Sequence, residues 1–512
     1  MIHESLERRA LAQGPGDPPA FAPGRVLVKL RPGVTMQEIG FASAIPQIGV
    51  LSVPAPKGRE LETAKRLMAE PGVEFAEPNY LVTAFRTPDD PLLGFYQWNL
   101  RMIRAEAAWD IEVGKDNVTV GVLDTGVDFA NPDLASKLLP GVNLLDPSAA
   151  PQDDNGHGSH VAGIATASSN NGVGIAGVSW GAKLLPVKLL DSFGTGTVED
   201  LARGIIWAAD NGAKVINISG GTEGFSQALQ DAVDYAYDTK GVLIVAAVGN
   251  DGGAGGLNAP NYPAALPKVI GVAATDSNDR RADFSERGAF VDVAAPGVTI
   301  LSTVLVGQGT PALGNNYNYK SGTSMATPHV AGLAALLWSA NPALTNKQVA
   351  RLIESTAQDL GPPGKDERFG NGRIDAYAAT RAATSGILTA STGNVSFLYG
   401  ANPGEAITKS VSLANMGGVA FDWAAVISPT VPWLTISPAS GHLDALGPPQ
   451  PLAVTTQPLG LTAAGTYTAS IVFRGLGNVQ ESPLALPVNL QIVDRLETLF
   501  FPLIPHGQVP GW

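Results

Sequence analysis

Cysteine is absent from the 512-residue chain, which excludes disulfides and every thiolate metal site. Aromatic residues are scarce, whereas glycine and proline abound, a balance that points to many tight turns and irregular loops. Positive charge is in deficit: 33 Lys and Arg face 46 Asp and Glu, a net charge of -13. That argues against nucleic-acid or anionic-membrane partners and fits a soluble protein with cation sites. No apolar run reaches the roughly 18 residues of a membrane span. The opening residues, Met1 to Arg9, lack the apolar core of a secretion signal. Export by another route, or a leader outside this sequence, is therefore the expectation. What is present is length enough for two or three domains with a large core.

The organisation changes three times along the chain. Residues 1–23 end in Gly14-Pro15-Gly16-Asp17-Pro18-Pro19 and read as a disordered leader. Residues 24–84 form a small α/β unit, with strands expected at 25–30, 48–53 and 73–84 and helices at 35–43 and 60–70. After a loop at 86–91 come short apolar runs at 118–123, 184–189, 215–218, 242–247, 269–273 and 291–294. Helical patterns lie among them at 157–167, 198–210 and 225–240, with further helices at 325–339 and 346–356 and a closing segment at 369–383. Unalternating apolar strands separated by helices predict an α/β fold, a mostly parallel sheet sandwiched by helices, over 85–385. From 386 to 493 helical periodicity gives way to short alternating runs, which predict an all-β sandwich of about 100 residues. The tail, 494–512, carries an apolar cluster at 499–504 and reads as a flexible end or an attachment segment.

The chemistry-bearing stretches are three. Ser324 stands where the Gly-Thr-Ser turn at 322–324 runs into an apolar helix, so its hydroxyl sits at the positive end of the helix dipole, where an oxyanion is favoured. Read alone, it is as well explained as a helix cap. Asp124 ends the strand at 118–123 and points to the crevice at the carboxyl end of a parallel sheet, although an Asp two residues before Gly126 also suits a plain turn. His157 opens a helix between Gly156 and Gly158, which permit close backbone approach. His160, three residues on, raises a metal alternative, but no third ligand follows at a fitting spacing, and His160 reads as a hydrogen-bonded structural histidine. Together Asp124, His157 and Ser324 supply an orienting carboxylate, a general base and a nucleophile, the set needed to make a weakly acidic hydroxyl attack an amide. The G-x-S-x-G elbow of esterases is not matched, because Ala326 stands at its last glycine.

The stretches VGVLDTGVD, NGHGSHVAGIA and SGTSMATPHVAGLAAL resemble the subtilases, the subtilisin-like serine proteases, over about residues 85–385. The resemblance is to thermitase-like and fervidolysin-like members, and the chain order Asp, His, Ser is that of subtilisin. The resemblance implies that Asn250, in VAAVGN, donates to the oxyanion with the Ser324 amide. It implies that Gly194-Thr195-Gly196 and Ser219-Gly220-Gly221 are two edges that hold an extended substrate, where tight turns are the plainer alternative. Family members often carry a bulky apolar residue at the position of Gly220, which leaves side-chain preference open. Asp90, Asp133 and the loop at 169–175 resemble a structural Ca2+ site. Asp133 and Asn171 would offer side chains, and Ser169, Val173 and Ile175 would offer carbonyls. Residues 24–84 resemble a propeptide that assists folding and then inhibits the enzyme, with self-cleavage expected between Val82 and Thr87, after Ala84. The sandwich resembles Ig-like or BACON-like modules, expected to serve stabilisation or attachment.

These readings converge on a secreted, calcium-stabilised serine endopeptidase made as a zymogen. Its expected partners are peptide substrates and its own propeptide, with no nucleic acid, no membrane span and a monomeric state. Three alternatives compete: an esterase of another class, a catalytically silent fold used for binding, and an adhesion protein working through the sandwich.

Overall fold

The computed structural model describes residues 21–31, 43–57, 59–68, 70, 72–80, 87–253, 258–400, 405–461 and 463–493. Residues 1–20 of the expected leader at 1–23, most of the helix at 35–43, the segment 81–86 around the expected cleavage point and the tail at 494–512 lie outside the described residues, and residues 21–23 of that leader stand in a strand. The chain divides into two compact units, one spanning Pro19–Ser385 and the other built from Gly386 onward.

The first unit opens with a small antiparallel sheet of β1 (Phe21–Leu30), β2 (Ser43–Ile45), β3 (Val50–Pro54) and β4 (Val73–Tyr80), in the order β2-β3-β1-β4. Helix α1 (Glu60–Met68) covers it, burying Ala64 and Leu67 against Val26, Val28 and Val53. Their spacing of three along the helix and two along the strand is what places them on facing surfaces.

The main sheet has seven strands: β5 (Thr119–Asp124), β6 (Val142–Asn143), β7 (Lys183–Lys188), β8 (Val215–Ile218), β9 (Leu243–Ala247), β10 (Val269–Thr275) and β11 (Val293–Pro296). Their order is β11-β10-β9-β8-β5-β7-β6, and every ladder is parallel. The strands are buried on both faces, which is why they read as unbroken apolar runs. The chain runs from β5 to the edge strand β6, returns to β7 between the two, then crosses to β8 on the other side of β5. That reversal opens a crevice at the carboxyl end of β5, where Asp124 stands.

One face packs on α3 (Val198–Asp210) and α4 (Gln227–Asp234), through Ile205, Ala208, Leu229 and Val233 against Leu123, Ile216 and Ile244. Helix α2 (His157–Thr166) contacts β5, and α5 (Thr323–Ala340) contacts β5 and β8 to β11; the two helices also contact each other. Nearly every residue of α5 is buried, as befits a helix that is apolar all round. Helices α6 (Asn346–Ser355) and α7 (Ala376–Ala383) complete the layer.

The helix expected at 225–240 is α4 alone, capped by Ser226, with a single π turn at Tyr235–Thr239 after it. The segment at 369–383 is helical only from Ala376, because the Asp375 side chain caps the helix there. A hairpin of β12 (Ile300–Thr303) and β13 (Tyr317–Lys320) was not expected; its second strand, YNYK, is too short for its alternation to stand out, and it is held by pairing with β12 and by the burial of Tyr317 beside Leu301 and Leu313.

The second unit holds β14 to β23 between Gly386 and Ile492, in two five-stranded sheets. Inward residues alternate along the strands, as in Leu388, Trp423, Phe473 and Leu490, and join one core.

Candidate active site

Asp124 is fully buried at the end of β5, and His157 is the first residue of α2. The helix reaches the strand because Gly158 has no side chain: a Cβ there would stand 2.1 Å from the Gly126 carbonyl oxygen. His157 Nδ1 lies 2.8 Å from Asp124 Oδ1 and 3.0 Å from Oδ2. A carboxylate only accepts, so Nδ1 carries the proton and Nε2 keeps its lone pair. Burial alone would push the imidazole down; the Asp124 carboxylate, by charge and hydrogen bond, outweighs it and the net shift is upward from 6.5. Lys320 opposes that rise and Asp153 adds to it.

The loop before His157 is fixed by Asp153. Its Oδ1 accepts from the backbone of Asn155 and Gly156 and from the Thr125 hydroxyl, and its Oδ2 accepts from the backbone and hydroxyl of Ser159. The buried ammonium of Lys188 donates to the Thr125 and Leu190 carbonyls and to Asp154. Lys320, at the end of β13 and four residues before Ser324, donates to the Gly156 carbonyl at 2.9 Å.

Ser324 lies in the first turn of α5, and its hydroxyl does not cap the helix. It donates to the Ser219 carbonyl at 3.0 Å. The Ser219 hydroxyl in turn donates to the Ser324 carbonyl at 2.9 Å. Pro328 explains the second bond: four residues on, it has no N–H to offer that carbonyl, so a side chain supplies the donor. Rotation about the Ser324 Cα–Cβ bond is all that is needed to turn Oγ away from Ser219.

Asn250 follows β9. Its Oδ1 accepts from the Thr323 N–H at 2.9 Å and the Thr323 hydroxyl at 3.1 Å. A backbone N–H only donates, so the amide oxygen is committed to Thr323 and Nδ2 faces outward beside the Ser324 turn.

Of the two proposed edges, residues 191–195 form a tight turn. Thr195 N–H donates to Asp191 Oδ1, its carbonyl accepts from Asp191 N–H, and Gly194 adopts a φ of +77°. Both Thr195 backbone groups are thus used within the turn, which leaves Gly196 as the edge residue that the turn does not spend. In the second edge Ser219 is engaged with Ser324. Gly220 faces open space, and at Gly221 a Cβ would stand 2.0 Å from Asn261 Oδ1. Thr222 beyond it pairs with Tyr262 through two backbone bonds.

Among the expected Ca2+ ligands, Asp90, Asp133, Asn171 and Ile175 come together. Asp90 accepts from the backbone of Asn170 and Asn171, and Asp133 accepts from Asn171 Nδ2 at 3.1 Å and Ile175 N–H at 3.0 Å. Burial pushes the Asp133 carboxyl up to about 6; the Ile175 and Asn171 hydrogen bonds oppose this and the Asp90 charge adds to it. Two differences from expectation stand out. Asn171 turns its N–H, not its carbonyl, to Asp133, since its Oδ1 accepts from Val173 N–H; Ile175 meets Asp133 through its N–H. The Ser169 hydroxyl bonds to the Ala167 carbonyl and the Gly177 N–H. Two buried carboxylates side by side, with no ion pair to either among the described residues, are a donor set that suits a hard divalent ion.

His160 donates from Nε2 toward the Ile300 and Asn318 carbonyls, and burial lowers it to about 3, so it is a neutral structural histidine. Sequence reasoning missed Lys188, Thr323 and Lys320 altogether, because their roles arise only from contacts across elements.

The family model described as the subtilase family matches residues 115–372. A thermophilic serine proteinase of Bacillus sp. (strain AK1) is 41% identical over 371 residues, covering 70% of this chain and 88% of the relative. Thermitase of Thermoactinomyces vulgaris is 46% identical over 296 residues, covering 58% of this chain and 99% of the relative. Among solved structures, a protease of Pseudoalteromonas arctica PAMC 21717 aligns with a TM-score of 0.51 at 33% identity, covering 58% of this chain and all of that one.

Proposed function

The chain belongs to the subtilase family of serine endopeptidases, and from that premise we propose that it cleaves peptide bonds through an acyl-enzyme formed on Ser324. The observation that carries the reading is the 2.8 Å contact of His157 Nδ1 with buried Asp124, which leaves Nε2 free to take a proton. Ser324 turns from the Ser219 carbonyl, gives its proton to His157 and attacks the peptide carbonyl. The oxyanion receives Asn250 Nδ2 and the Ser324 N–H at the helix start. His157 then protonates the leaving amine, and water removes the acyl group by the reverse path. The substrate lies as an added strand between Gly196 and the edge Gly220-Gly221, with Thr195 shaping one side and Ser219 seating the nucleophile.

Casein turnover beside that of a p-nitrophenyl ester tests this. Amide cleavage is expected; ester hydrolysis with intact casein would make the chain an esterase. Substituting Asn250 by Ala is expected to lower kcat by about a hundred- to thousand-fold, the scale known for subtilisin, with KM nearly unchanged.

The remaining parts of the reading concern organisation. We assign residues 24–84 as a propeptide, 85–385 as the peptidase domain and 386–493 as a sandwich that stabilises or attaches it, in an exported, self-processed monomer. The four-stranded unit of residues 21–80 with its own small core supports the first assignment. Asp90, Asp133 and Asn171 would hold Ca2+, with carbonyls of Ser169, Val173 and Ile175 completing the oxygen set; the ion would neutralise the two carboxylates. Chelation is expected to lower Tm by about 5–10 °C, and Asp133→Asn to remove most of that difference. Protons compete for Asp133, so affinity for the ion should fall as pH drops through about 6.

A further inference from the structure

We propose that the substrate residue whose carbonyl is attacked places a cationic side chain, lysine or arginine, between the edge at 219–221 and Gly249–Asn250, with Glu286 as its counter-charge. This rests on the peptidase reading above and names the substrate class. When the scissile carbonyl oxygen meets Asn250, the side chain of the same residue leaves from the adjoining Cα. Its path runs between Gly221 and Gly249, toward the Asn261 amide that packs against both glycines and the Glu286 carboxyl that packs against Gly249.

Asn261 Oδ1 and Glu286 Oε2 are sealed from solvent in the structure, so the entering side chain displaces what covers them. Asn261 Oδ1 lies 2.0 Å from where a Cβ on Gly221 would stand. Glu286 Oε2 and Asn261 Nδ2 lie 2.5 and 3.0 Å from where a Cβ on Gly249 would stand. Gly249, at φ +112°, holds a backbone conformation that side-chain-bearing residues rarely adopt. Glu286 is only 2% exposed, and both its Oε2 and Asn261 Oδ1 lack a hydrogen-bond partner. These are two buried acceptors without a donor, a costly arrangement for a folded chain. An apolar occupant would leave both unsatisfied, whereas an ammonium or guanidinium supplies donors and charge together.

The surrounding charges agree. Burial pushes the Glu286 carboxyl up to about 7, with the charges of Asp251 and Glu223 adding to the rise and the Asp251 backbone amide opposing it. Of the nearby cations, Arg281 donates to the Ser285 carbonyl and Arg287 is exposed. Among the described residues no ion pair joins a cation to Glu286.

The test uses the full chain with two peptide p-nitroanilides that differ only at the acyl-side residue, lysine or norleucine, which share a similar stem. Active sites are counted with a fluorophosphonate. The kcat/KM ratio of lysine to norleucine is expected to be about tenfold or more at about pH 9, and to fall by about tenfold in Glu286→Gln. A ratio at or below one, or a ratio unmoved in labelled Glu286→Gln, would overturn the inference. If that variant does not fold, the unmodified chain decides. Glu286 loses its charge below about pH 7, so the ratio must rise as pH climbs through that value, and a flat ratio overturns the inference. His157 affects both peptides alike and cancels. Turnover of both peptides without lysine preference sinks this inference alone; no turnover and no labelling sinks the peptidase reading and this inference with it.

Discussion

Substituting Ser324 by Ala is expected to lower kcat on a peptide substrate by about a million-fold, the scale known for the nucleophile of subtilisin. The loss is large because the hydroxyl is the group that forms the covalent bond, and the remaining groups act only through it. The fold should survive: the hydroxyl makes one bond, to the Ser219 carbonyl, and its removal costs about 1 kcal/mol. The variant also reports on self-processing. If the chain cuts itself between Val82 and Thr87, purified Ser324→Ala should keep its residues 1–82 while the active protein loses them. Initial rates and mass mapping of the termini measure both effects. A variant that shortens at the same bond would assign that cut to another protease.

Substituting Asp124 by Asn is expected to cost about ten-thousand-fold in kcat with little change in KM. The amide can present its N–H to His157 Nδ1, which puts the ring proton on Nε2 and leaves the wrong nitrogen facing Ser324. The pH profile separates this from general damage. In the unmodified chain the imidazole stands above 6.5, because the neighbouring carboxylate outweighs burial. The general base must be neutral, so kcat/KM falls as pH drops through that raised value. Without the carboxylate, burial and Lys320 act unopposed by it, and the acid limb should move to lower pH. A residual activity whose limb stays in place would mean that Asp124 does not set the state of His157.

The residues expected to do chemistry sit where unbroken apolar strands end and glycine-rich turns begin, and both signals are local. Asp124 after VTVGVL and His157 between two glycines are examples. A fully buried strand must be apolar on both faces, and only glycine at 158 lets the helix touch the strand. What local pattern could not carry is contact across the chain. Glu286, in Ser285-Glu286-Arg287-Gly288, has the letters of a solvated turn, yet it is buried beneath Gly249. Lys188 and Lys320 look like surface lysines but tie the loops around Asp124 and His157 to backbone carbonyls. The bond from Ser219 to the Ser324 carbonyl depends on Pro328, visible in the sequence, and on a partner more than a hundred residues away. The orientation of Asn171 follows from its own oxygen being taken by Val173, which ligand-type reasoning does not reveal.

Labelling the intact chain with a fluorophosphonate and locating the adduct by peptide mapping tests most directly whether Asp124, His157 and Ser324 act as one unit. One adduct per chain, on Ser324, is expected, with the labelling rate collapsing in His157→Ala. An adduct on a different residue, or Ser324 labelled at the same rate without His157, would contradict it.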